Sequence, residues 1–231
     1  MQDRSDDDVA AWKREGIIRA LRSVGIETQI DETRTVPTQD RRRVKLAFQR
    51  TKKTTLLGFY GAGSHTIIPV PDCKIAHPNI LAAMPDLADL LRLGAPRKRA
   101  ISVTLTVSDA GLDVSVADGK EADMALRSAL GEMAEKLGLA RLVWNDEPIA
   151  QARPPAQTFG KVRVVPPPGA FLQASANGEA LLRDFMLEAV GEAKTVLDLF
   201  AGCGAFSLPL AETATVTAVE GDAAMLSLIH I

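Results

Sequence analysis

The chain is short of cysteine and of aromatic rings. Its 231 residues include two cysteines, Cys73 and Cys203, and one tyrosine, and aromatic residues make up 4% of the sequence. Two thiols are too few for a disulfide framework, so a reducing compartment, the cytoplasm, is expected. No run of about eighteen apolar residues occurs, and no membrane-spanning helix is expected. The opening stretch MQDRSDDDVAAWKREG is acidic and lacks an apolar signal core, so export is not expected either. A formal net charge of −2 argues against an evenly basic nucleic-acid binder. Internal repeats and low-complexity segments are also missing. What remains is an ordinary globular composition, 46% apolar and 24% charged, able to bury a core.

Periodicity divides the chain into two textures. VAAWKREGIIRALRSVG carries Ala10, Ile17, Leu21 and Val24 at near-helical spacing, with Gly25 as a stop. After a polar stretch, RRVKLAFQR, TTLLGFY and HTIIPV read as strands, and HPNILAAMPDLADLLRLG reads as an amphipathic helix. RAISVTLTVS and GLDVSVAD add two strands, residues 122–137 a third helix, and ARLVWND, PIAQARP and KVRVVP further strand. Hairpins mixed with packed helices favour an α+β domain. From the linker at residues 166–169 the pattern changes to a long helix, then strand, glycine loop, helix and strand, the beginning of a doubly wound α/β (Rossmann-like) domain. The expected division is 1–167 and 168–231.

The glycine loop is the strongest single signal. TVLDLF is an apolar strand, AGCGAF a tight turn and TVTAVEGD a second strand ending at Glu220, eighteen residues after Gly202. Gly202 and Gly204 can adopt backbone conformations closed to other residues and let a ligand lie on the main chain. A carboxylate at the tip of the second strand is placed to accept hydrogen bonds from both hydroxyls of a ribose. A nicotinamide-binding loop fits less well. Asp198 ends the first strand, where it would repel a pyrophosphate and suit a cationic ligand such as S-adenosylmethionine.

Positive charge is concentrated elsewhere. Arg41, Arg42, Arg43, Lys45, Arg50, Lys52 and Lys53 fall within thirteen residues with no acid among them. On a strand Arg41, Arg43 and Lys45 share one face and Arg42 and Val44 the other. A ridge of that kind suits a phosphate backbone, and APRKRA at 95–100 adds to it. Phe48, Phe59 and Tyr60 could stack on bases, although core packing suits most of them better.

VLDLFAGCGAFSLPLA followed by VTAVEGD closely resembles the cofactor motif of the RNA uridine C5-methyltransferases, of the 23S rRNA (uracil-5-)-methyltransferase type. GAFLQASANGEALL resembles the segment in which the family's glutamine, here Gln173, touches the cofactor. RRRVKLAF and LLGFYGAGSHTIIPVPDCKIAHP resemble its central domain. The resemblance implies a class I fold that binds S-adenosylmethionine through Gln173, Phe200, Gly202, Gly204 and Glu220. It implies RNA, ribosomal RNA in particular, held by Arg41, Arg42, Arg43 and Lys45, and 5-methyluridine as product. A cysteine thiolate adds to C6 of a flipped-out uridine, C5 takes the methyl group, a base removes the C5 proton and the cysteine leaves.

In the family the nucleophile and base follow the second cofactor strand, beyond Ile231 here. No catalytic residue is therefore assigned in this chain, which reads as a piece of a longer enzyme and is expected to be inactive alone, and monomeric. In members that carry a 4Fe–4S cluster, Cys73 aligns with the fourth ligand, while the other three lie in a C-x5-C-x2-C run not present here. Without that context a lone cysteine reads as a small buried hydrophobe. Cys203 reads as incidental, neither ligand nor nucleophile. Two departures stand out: Ala205 replaces an asparagine common in the family, and the tail SLIHI does not continue its helix. The competing readings are another S-adenosylmethionine-dependent methyltransferase, acting on a small molecule or protein, and a non-catalytic RNA-binding fragment.

Overall fold

A computed structural model describes residues 4–52 and 54–229; Lys53 of the basic run lies outside the described residues. The chain forms two compact units, Met1–Pro37 and Thr38–Ile231. In the first, helix α1 (Asp6–Ser23) starts at Ser5, whose hydroxyl accepts from the Asp8 amide, and Asp6, Asp7 and Asp8 complement the positive helix end. Gly25, at φ +79°, terminates it. Arg14 Nη2 donates to the Ile30 carbonyl and folds the following segment back along the helix. No residue of α1 is buried.

The second unit is built on a seven-stranded sheet. Its elements are β1 (Arg43–Arg50), β2 (Thr55–Tyr60), β3 (Ile67–Pro69), helix α2 (Pro78–Gly94), β4 (Ile101–Ser108), β5 (Gly111–Ala117), helix α3 (Met124–Lys136), β6 (Arg141–Trp144) and β7 (Glu147–Gln151). The strand order is β3-β2-β1-β4-β5-β6-β7, antiparallel except where α3 crosses from β5 to a parallel β6. Register puts Leu46 opposite Val103, Val103 opposite Val116, and Val116 opposite Trp144. Because side chains alternate along a strand, this line forms one apolar face. Ile80, Leu87, Leu90 and Leu91 of α2 and Leu130 of α3 close over that face.

The opposite sheet face is polar and is partly covered by the chain that follows. Arg141 donates to both Asp113 oxygens, at 2.8 and 2.7 Å, and to the Pro166 carbonyl at 2.8 Å, all buried. This clasp fixes the 166–172 segment on the sheet. Before it, β8 (Gln157–Phe159) and β9 (Val162–Val164) form a hairpin. After it come helix α4 (Ala176–Val190), β10 (Thr195–Leu199), the short α5 (Ser207–Leu210), a parallel β11 (Thr215–Val219) and the short α6 (Ala223–Leu226).

The expected strand, loop, helix, strand order is therefore observed, but the expected division near Pro168 is not where the compact units separate. Phe159 and Val164, before Pro168, share one apolar cluster with Leu172, Cys203 and Leu208 after it. No helix among the described residues is long and apolar enough to cross a membrane.

Candidate functional site: the glycine loop and its supports

The loop between β10 and α5 is shaped by three residues at positive φ: Phe200 at 64°, Gly202 at 58° and Gly204 at 85°. At Gly204 the confinement is also steric, since a Cβ would stand 2.8 Å from Leu208 Cγ. Phe200 is the exception, a bulky side chain in a region that favours glycine. Its amide and that of Ala201 both donate to the Val219 carbonyl, at 2.8 and 3.1 Å, and its ring is 90% exposed at the loop mouth.

Glu220 locks the loop to the end of β11. Its Oε2 accepts from the Gly202 amide at 2.8 Å and its Oε1 from the Asp222 amide at 2.9 Å. These bonds, first that from Asp222 and then that from Gly202, hold the carboxyl below its ordinary range. Each oxygen keeps a further lone pair for a ligand. Asp198, on β10, accepts from Ser207 Oγ at 2.5 Å, so its carboxylate is oriented as well.

Cys203 is buried between these groups. Burial pushes its thiol up to about 11, helped by the carboxylates of Asp222, Glu220 and Glu179. It is protonated near neutrality and a poor nucleophile there. The same carboxylates make the surroundings of the loop negative, which suits a cation and disfavours a phosphate.

Gln173 reaches the loop through its neighbour. Leu172 packs with Cys203, and the Gln173 carbonyl accepts from Arg42 Nε at 3.2 Å. Arg42 also donates to Gln157 Oε1 at 3.2 Å and pairs with Glu179 of α4 at 2.6 Å, both side chains of that pair largely buried. Burial raises the Glu179 carboxyl and the Arg42 charge opposes that rise. Asp40 adds a second tie, accepting from Ser175 Oγ and from the amide and side chain of Asn177 at the start of α4.

The basic ridge read from the sequence is corrected by these contacts. Arg42 is consumed by its buried pair. Arg43 donates from Nε and Nη2 to the carbonyls of Ala170 and Gly169, at 2.9 and 3.0 Å, and its guanidinium lies 6.0 Å from the Phe171 ring centre. Burial pushes the Arg43 guanidinium down. Only Arg41 and Lys45 of the four stay exposed. Arg42 and Arg43 find their partners more than 100 residues further along the chain, where no spacing rule reaches. Asp40 and Glu179 were missed for the same reason. Of the aromatics, Phe48 is fully buried, whereas Tyr60 is half exposed beside His65.

Cys73 is half-buried and packs on the main core. Among the described residues no three histidine, cysteine or acidic side chains gather as a metal site. Cys73 alone supplies one of the four sulfur ligands that an iron–sulfur cluster needs.

No family model matches the chain. An uncharacterized RNA methyltransferase of Brucella suis is 36% identical over 98% of this chain and 55% of its own length. Another, of Mesorhizobium japonicum, is 40% identical over 94% and 52%. A 23S rRNA (uracil(1939)-C(5))-methyltransferase of Dichelobacter nodosus is 35% identical over 80% and 45%. The chain thus spans about half the length of the curated relatives it matches. Among solved structures, the Pyrococcus abyssi tRNA (uracil-54, C5)-methyltransferase in complex with S-adenosyl-L-homocysteine superposes with a TM-score of 0.72 over 98% of this chain and 58% of that one. At 16% identity that likeness carries the fold, a methyltransferase architecture with a mixed sheet.

Proposed function

The chain belongs to the RNA uridine C5-methyltransferase family, and from that premise we propose that it supplies the S-adenosylmethionine-binding loop and part of the RNA-binding surface of an enzyme that forms 5-methyluridine, in ribosomal RNA. The observation that carries this reading is the bond between Glu220 and the Gly202 amide. It sets a carboxylate, held below its ordinary range, beside a stretch of main chain that a flat ligand can approach.

When bound, S-adenosylmethionine would supply the methyl group that uracil C5 receives. The chain's own residues would hold it. Glu220 accepts from the ribose hydroxyls with its remaining lone pairs. Gly202 and Gly204 admit the ligand to the main chain, and the exposed Phe200 ring covers it at the loop mouth. Asp198 balances the ligand's positive charge. Gln173 is presented by the Arg42 bond to its carbonyl.

The proposed functional division stays at 1–167, the RNA-facing part, and 168–231, the cofactor part. Ribosomal RNA is favoured over transfer RNA by the Dichelobacter relative. A thiolate adduct at uracil C6 belongs to the proposal, with neither Cys73 nor the protonated Cys203 as its nucleophile. A small-molecule or protein methyltransferase is disfavoured by relatives named for RNA.

The test is methyl-labelled S-adenosylmethionine incubated with the gene's full-length product and ribosomal RNA, followed by digestion to nucleosides. Label in 5-methyluridine is the expected result. Label in another nucleoside, or none in RNA, contradicts the proposal.

A further inference from the structure

With Arg42 and Arg43 engaged internally, a second group of positive charges lies at the other end of β1. Arg50, Lys52, Arg97 and Lys98, with Thr51, line one cleft of about 560 Å³ between the β1–β2 turn and the segment leading into β4. Lys52, Arg97 and Lys98 are exposed, as is Arg99 beside them. Arg50 is half-buried and is steadied by a weak bond from Nη1 to the Arg92 carbonyl, at 3.4 Å, at the end of α2. Among the described residues none of the four cations has a carboxylate within ion-pairing distance. Four like charges held around one concavity repel one another, and an anion entering it relieves that repulsion.

We propose that this cleft docks the phosphodiester backbone of the RNA substrate. The inference rests on the RNA reading above and assigns the contact to residues other than the arginine run. Along β1, at about 3.3 Å per residue, the cleft lies roughly 17 Å from the exposed Lys45 and about 30 Å from Arg41. Among the described residues that line it, the cleft has no aromatic ring and no carboxylate, so it reads phosphate rather than base, and its role is to position the strand.

The experiment uses the intact protein and a labelled uridine-rich single-stranded RNA, with affinity measured across a salt series. Two double variants are compared, Arg50→Ala with Lys52→Ala and Arg97→Ala with Lys98→Ala. Lys136→Ala, an exposed lysine of α3 outside the cleft, is the control. Thermal unfolding and S-adenosylhomocysteine affinity establish that each variant is folded. Each double variant should weaken RNA binding about tenfold and shallow the logarithmic salt slope by about 1.4, two phosphate contacts at roughly 0.7 each. Lys136→Ala should leave both unchanged. Wild-type RNA binding with unaltered slopes in both double variants overturns the cleft alone. A wild type without RNA affinity overturns the cleft and the RNA reading together. If poly-glutamate of matched length binds as well and depends equally on these residues, the cleft serves an acidic protein partner and the proposal fails.

Discussion

Arg42 shows how far a residue's neighbours in sequence can mislead about its work. Its charge sits among other arginines, yet it pairs with Glu179, 137 positions away. Removing one member of a buried pair leaves the other uncompensated, at a cost of roughly 3–5 kcal/mol, whereas replacing both by apolar groups is often near neutral. Arg42→Ala should therefore lower unfolding stability by several kcal/mol, and Arg42→Met with Glu179→Leu by clearly less. Equal losses in chemical denaturation would show that the pair is not what holds α4 to β1.

Glu220 behaves in the opposite way, because its partners stabilise the charged form. With the folded carboxyl held below its ordinary value, the ionised state persists as pH falls, and what it contributes is lost only on descending through that lowered value. Cofactor affinity should be flat from about pH 8 to pH 5.5. A drop centred near pH 6 in a titration series would mean that another group controls the site.

At the scale of elements, the core is tuned by two glycines around Trp144. The ring is fully buried and its Nε1 donates to the Lys120 carbonyl at 2.8 Å, so it has little freedom to retreat. A Cβ at Gly119 or Gly94 would stand 2.3 Å from Trp144 Cζ2. Alanine's helix preference at Gly94 is worth about 1 kcal/mol, less than the roughly 1–3 kcal/mol that overpacking costs. Gly119→Ala, with no helix term to offset it, should lower stability by that larger amount. An unchanged melting temperature would mean that the indole can shift.

The elements themselves were largely legible. Alternation in β1, β4 and β5, the helical spacing of α2 and α3, and the glycine loop of β10 to β11 are local patterns, and their physics is local. HTIIPV shortened to Ile67–Pro69, because only that stretch finds a partner, against β2. Sheet order and the burial of Arg42 and Arg43 come from long-range contacts, which periodicity does not encode. Within the candidate site, Gly202, Gly204 and Glu220 come together where motif and geometry lie in one short segment, so their proximity was legible. Asp40, Glu179 and Asp113 with Arg141 were not, since each acts through a residue remote in sequence.

For the molecule as a whole, a net charge of −2 conceals a separation of roles. Carboxylates surround the glycine loop, while free cations line the cleft at the far end of β1. Under the proposed function, a cationic cofactor and a polyanionic substrate would be drawn to different places by fields of opposite sign. The same separation lets each function be altered without the other. The role of the loop and Glu220 is tested most directly by a calorimetric titration of S-adenosylhomocysteine into the gene's full-length product, wild type against Glu220→Ala. Hydrogen bonds to a charged acceptor contribute roughly 1.5–3 kcal/mol each, so Glu220→Ala should weaken binding about tenfold or more with RNA affinity intact. Unchanged cofactor affinity in that variant would contradict the placement of the ribose and the loop argument with it.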